Sequence, residues 1–191
     1  MSMWKLLTAR WGSGAGEIAD VKIDGSTESL QTVDYSHHEI HAGSHFFGKN
    51  FVDFGVSDTE DNFYFTTPDS DVQIHAKAAF YGSAEFEIEI FEGVTIGTAG
   101  TTVAAQNNNR DLQTSHPATL IAAASGVLTG GTAIWRAKTG DGKNSTGVSP
   151  EISGEIIAKR NTTYMFKITK TATTAAYIDV NFFWYEHTPK H

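Results

Sequence analysis

Cysteine is absent from this chain of 191 residues. A disulfide framework and thiolate metal centres are therefore excluded, and packing alone must hold the fold, as suits a particle assembled in a cytosol. Proline is scarce at four residues, while eighteen glycines mark frequent tight turns rather than a disordered linker. No apolar run approaches the roughly 18 to 20 residues of a membrane-spanning helix. The N-terminus, MSMWKLLTAR, lacks the apolar stretch of a secretory leader. Positive charge is also thin: 14 Lys and Arg against 22 Asp and Glu leave a formal net charge of -8. That balance argues against nucleic acid or an anionic membrane as partner, since both need clustered cations. There is no G-x-S-x-G elbow and no EF-hand spacing among Asp58, Glu60, Asp61, Asp69 and Asp71. The glycines of Gly12–Gly16 are not followed by the Lys-Ser/Thr of a phosphate loop. No catalytic residue, cofactor or metal ligand is assigned on these patterns.

What the chain has in quantity is strand-forming residues. Twelve Phe, six Tyr and four Trp accompany many Thr, Val and Ile. About eight to ten short strands follow one another at roughly 10 to 15 residue spacing, with no amphipathic helix of three turns. This predicts an all-β, antiparallel β-sandwich of jelly-roll type over residues 17–191. Residues 1–16 read as an extended N-terminal arm whose Trp4, Leu6, Leu7 and Trp11 are too apolar to stay in water. Short strands are expected at Ile18–Ile23 and Leu30–Val33.

The strongest alternation runs from Ala84 to Glu92, with Glu85, Glu87 and Glu89 on one side and Phe86, Ile88 and Ile90 on the other. Val72–Phe80 reads as its antiparallel hairpin mate through Tyr81-Gly82-Ser83. Carboxylates two apart on a strand lie about 6.6 Å apart by rise, within the range of a glycosidase pair. A solvated row that meets Lys and Arg of a partner is the preferred reading. Near the C-terminus, Phe182, Phe183, Trp184 and Tyr185 are apolar on both faces. That strand needs an interior place, or an outer face covered by the arm or a second subunit.

Asp34–Phe54, DYSHHEIHAGSHFFGKNFVDF, holds four of the eight histidines. It reads as strand, with Gly43 as a bulge or bend and His37, Glu39, His41 and His45 on one face. Same-face histidines four apart would then sit about 13 Å apart, too far to share one ion. The helical alternative would suit a metal at His37 and His41, but Gly43 and the flanking β pattern speak against it. The three imidazoles His37, His41 and His45 are instead candidate interface residues, together with Trp4, Leu6, Leu7 and Trp11.

DYSHHEIHAGSHFF, the QNNNR segment, GEIIAKRNTTYMFKIT and the closing NFFWYEH together resemble small head proteins of tailed bacteriophages. The resemblance covers about Thr32 to His187. It implies a capsid cement or decoration protein, a structural virion component without enzymatic activity. Such a subunit would pair with itself as a homodimer or homotrimer and clamp the major capsid protein on the capsid surface, after assembly in the host cytoplasm. Two rival expectations stand beside it. One is a receptor- or carbohydrate-binding sandwich using the loops near Asn107–Arg110 and Thr139–Pro150. The other is a cupin-like metal-dependent enzyme in which His37, His41 or Glu39 converges with His75.

Overall fold

The computed structural model describes residues 35–98, 100–112, 116–122, 129–139 and 154–187. The proposed arm with Trp4, Leu6, Leu7 and Trp11, the strands expected at Ile18–Ile23 and Leu30–Val33, and residues 140–150 of the polar loop lie outside them.

Among the described residues, one short helix, α1 (Tyr35–Ala42), precedes eleven strands. These are β1 (His45–Phe54), β2 (Glu60–Thr66), β3 (Gln73–Gly82), β4 (Phe86–Thr95), β5 (Thr101–Val103) and β6 (Gln106–Asn107). They continue as β7 (Thr119–Ala122), β8 (Thr129–Thr139), β9 (Ile156–Ala158), β10 (Thr163–Lys170) and β11 (Ala176–His187). Two sheets form, in the orders β6-β1-β11-β3-β9 and β5-β7-β2-β10-β4-β8. The ladders within them are antiparallel. The all-β sandwich expected from the strand pattern is the fold.

Period-2 alternation decides what lies between the sheets. From β4 the residues Phe86, Ile88 and Ile90 are buried; from β10, Tyr164, Phe166 and Ile168; from β11, Ile178, Val180, Phe182 and Trp184. Together with Phe46, Phe63, Phe65 and Phe80 they make one continuous core. Aromatic rings tilt against one another through it, Phe65 lying 4.5 Å from Phe182 and 5.7 Å from Trp184 between centroids. Gly48 of β1 lies opposite Phe182, and a side chain there would collide with Leu120.

Two local expectations are corrected. The first is the hairpin. β3 pairs with β11 and β9, whereas β4 pairs with β10 and β8, so Tyr81-Gly82-Ser83 leads across the sandwich rather than back along one sheet. The hydrogen bonds show the handover. Ser83 N donates to Tyr177 O at 2.9 Å and Tyr177 N to Ser83 Oγ at 2.8 Å, still in the first sheet. Two residues on, Glu85 O accepts from Thr171 N at 3.1 Å in the second. Both strands carry a hydrophobic face toward the same core, and that condition is met as well by facing sheets as by neighbours in one sheet.

The second correction concerns Asp34–Phe54. Residues Tyr35–Ala42 are helical, and the strand begins only at His45. Gly43 is neither bulge nor bend in a strand but the helix stop, with φ of +75°. Gly43 N donates to Ile40 O at 3.1 Å and Ser44 N to Glu39 O at 3.0 Å, the paired bonds of a Schellman ending. A Cβ at Gly43 would approach Leu112 Cδ1 to 2.7 Å, so packing and backbone both call for glycine.

Candidate interaction surface and imidazole cluster

The register of the five-stranded sheet fixes its outer face. Phe51 lies opposite Asp179, Tyr177 opposite Asp53, Tyr81 opposite Asp179, and Phe183 opposite both Phe47 and Lys77. Four aromatic side chains on this face are open to solvent: Phe51 (53%), Tyr177 (48%), Tyr81 (47%) and Phe183 (37%). Phe51 and Tyr177 stack at 5.3 Å with planes 27° apart. On β9, exposed Ile157 faces the same way, opposite His75. Exposed apolar side chains gathered on one face make this a candidate interaction surface. The sequence reading of β11 anticipated a strand apolar on both sides, and its outward member Phe183 lies within this patch.

At the end of that face nearest α1, the outward residues change from aromatic to polar. His75 on β3 lies directly opposite Tyr185 on β11, and the rings stack at 4.6 Å. His187, two residues along β11, reaches His75 diagonally, Nε2 to Nε2 at 2.9 Å. On its other side, His75 Nδ1 bonds the Glu155 carboxylate, which also accepts from Tyr185 OH at 2.7 Å. Burial alone would raise the Glu155 pKa. Hydrogen bonds from Tyr185 and His75, with the charges of His75 and Lys77, outweigh it and hold the carboxyl below its ordinary value. A hollow of about 60 Å³ opens beside His75, Tyr185 and Glu155, walled also by His45, Lys77, Phe183, Trp184 and Ser36. Sequence reasoning named His75 only as a distant partner for the first histidines and missed His187 and Glu155. The signal lay in a strand register joining positions 112 residues apart.

The three histidines proposed as one row divide between two elements. His37 and His41 are exposed on consecutive turns of α1, with Nε2 atoms 3.1 Å apart. The 13 Å separation expected on a strand therefore does not hold, because i and i+4 share a helix face. His45 sits at the start of β1, stacks on Tyr185 at 6.2 Å and bonds Asn108 Nδ2 through Nδ1 at 2.8 Å. Burial, aided by the Lys77 charge, pushes the His45 pKa below 6.5. Glu39 is buried, bonded by the Ser44 hydroxyl and 3.5 Å from His38 Nδ1. The structure thus groups His37 with His41 and His75 with His187. Among the described residues, no three His, Asp or Glu side chains are arranged to hold one metal ion.

The QNNNR segment is a clamp on this corner. Asn107 Nδ2 donates to Gly43 O at 2.7 Å, Asn108 N to His45 O at 2.9 Å, and Asn109 Nδ2 to His41 O at 3.4 Å. Asn107 Oδ1 in turn accepts from Asn109 N at 2.8 Å, which tightens the turn after β6. These bonds tie β6 to the end of α1 and so position His45 beside Tyr185.

On the six-stranded sheet, Glu87 and Glu89 stand outward as expected, but their cations come from the same chain. Arg136 of β8 bonds Glu87 and lies 3.9 Å from Glu89, while Lys138 lies 3.8 Å from Glu85. The expectation that a partner supplies Lys and Arg to this row is replaced by strand-to-strand pairing, in register with Glu89 opposite Arg136 and Glu87 opposite Lys138.

Comparison with protein-family models, with curated proteins and with solved structures gives no match.

Proposed function

We propose that this chain is a structural assembly subunit, a cement or decoration protein that coats the head of a tailed bacteriophage and joins neighbouring major capsid proteins. The observation that carries this reading is the outer face of the five-stranded sheet, where Phe51, Tyr177, Tyr81 and Phe183 stand exposed in register on a rigid scaffold. Burying such a face against a neighbour yields hydrophobic gain with little ordering cost, because the sheet is already formed. Repeated around a shell, interfaces of roughly 1,600 Å² each add to a large stabilisation.

Strand order supports the jelly-roll form of this reading. With the strands β6 and β5-β7 at the sheet edges set aside, the sheets run β1-β11-β3-β9 and β2-β10-β4-β8, and consecutive strands mostly alternate between them. A second reading, a carbohydrate-binding sandwich, is favoured by the flat stacked pair of Phe51 and Tyr177.

Sedimentation with tailed-phage heads stripped of their outer proteins tests the first reading. The wild-type chain co-sediments, and the F51S/Y177S variant loses co-sedimentation while its melting temperature stays within a few degrees. Failure of the wild type to sediment with any head lattice, joined to saccharide binding that F51S/Y177S abolishes, would transfer the face to the second reading.

A further inference from the structure

We propose that His75 and His187 form a two-imidazole site for a divalent transition-metal ion, with Glu155 as the carboxylate that sets the ligand tautomer. The site lies at the end of the aromatic face nearest α1 and is argued from its own geometry.

The argument begins with the hydrogen-bond network. The Glu155 carboxylate accepts hydrogen bonds, so His75 places its proton on Nδ1 toward it. The Nε2 of His75 then carries a lone pair, and it lies 2.9 Å from Nε2 of His187. Without a metal, His187 fills that gap with an N–H. A carboxylate behind a ligating imidazole is the arrangement that fixes ring orientation and raises ligand basicity in metal sites. Tyr185 adds to the fixation, donating to the same carboxylate at 2.7 Å and stacking on the His75 ring at 4.6 Å.

The bite is informative. Two nitrogens 2.9 Å apart subtend roughly 90° at an ion about 2.05 Å from each. A right angle suits tetragonal or octahedral coordination more than a tetrahedron, and imidazole ligands with that angle favour Cu²⁺ or Ni²⁺ over Zn²⁺.

Because His37 and His41 also bring Nε2 atoms to 3.1 Å, the test is made in an H37A/H41A background. Cu²⁺ is titrated at pH 7.5, followed by calorimetry and by the visible absorption of imidazole-bound copper. One equivalent is expected. H187A in that background removes it, and E155Q weakens it by about 10- to 100-fold with an unchanged melting temperature. H75A should match H187A; if H75A fails to fold, H187A and E155Q carry the test. Equal copper affinity in the H187A and parent proteins, or no binding by the H37A/H41A parent, would overturn the site.

Discussion

The outer faces of the two sheets differ in arrangement, although the five-stranded one also carries the Lys49–Asp179 pair and the six-stranded one an apolar cluster of Tyr64, Val94 and Met165. On the six-stranded sheet the Glu87 and Glu89 carboxylates project from β4, and Arg136 and Lys138 stand opposite them on β8 within the same chain. On the five-stranded sheet the outward residues include Phe51, Tyr81, Tyr177 and Phe183, each more than a third exposed. The charged face is satisfied in cis by its own strand register, so a partner gains little by replacing those pairs. The aromatic face keeps apolar area in water, and its gain is realised only when something covers it. Under the proposed function, the aromatic face is the one that makes the contact.

The sharpest way to break this comparison lies in adjacent residues of β11. Trp184 is 1% exposed and packs against Phe46, Phe65 and Phe182, whereas Phe183 next to it points outward. Trp184→Ala should cost about 3 to 5 kcal/mol in urea unfolding, because the cavity is walled by rigid rings. Phe183→Ala should cost less than about 1 kcal/mol in the isolated chain. If the two variants were equally destabilised, the outer face would already be covered in the monomer, and its value as a docking surface would disappear.

A second test sits where the inward row of β11 ends in an acid. Glu186 is buried; its carboxylate accepts from Trp184 Nε1 at 2.9 Å and from the Ala118 backbone. Burial nonetheless pushes its pKa up to about 7. The folded value is above the unfolded one near 4.5. Stability from this group is therefore full below about pH 4.5 and is lost as pH rises through about 7. Glu186→Gln keeps an acceptor for Trp184 and removes the titration. It should match wild type at pH 4 and exceed it at pH 8 by up to about 3 kcal/mol. A difference independent of pH would mean that this carboxyl is solvated as freely as those on the charged face.

Most of the sandwich was legible in the sequence because alternation reports burial directly. Phe86, Ile88 and Ile90 against Glu87 and Glu89 gave β4 its faces, and Phe182 and Trp184 gave β11 its inward row. Alternation carries no information on which strand lies alongside, so β3 and β4 were read as a hairpin although they belong to different sheets. The helix was hidden for another reason. Its eight residues include four histidine and glutamate positions, with no apolar stripe to reveal a 3.6 period. Gly43 was noticed, but glycine marks helix stops and strand bends alike until its hydrogen bonds are known. Once α1 is helical, the distance that had separated His37 from His41 becomes a contact. The His75–His187 pair lay beyond local reading, since only the β3–β11 register brings the two together.

The smallest effect is expected on the charged face. Arg136 has a well-exposed guanidinium that joins Glu87 and Glu89 across the β4–β8 ladder. Exposed pairs of this kind contribute about 0.2 to 1 kcal/mol, less as salt rises. Arg136→Ala should therefore shift the urea midpoint only slightly in dilute buffer, and the shift should fade at high salt. The more informative readout is association. If the aromatic face makes the contact, Arg136→Ala co-sediments with heads as wild type does, under conditions where F51S/Y177S does not. Loss of co-sedimentation in Arg136→Ala, with F51S/Y177S unaffected, would reverse the roles of the two faces. The carboxylate row would then be held in readiness for a basic partner, with Arg136 only its resting counter-ion.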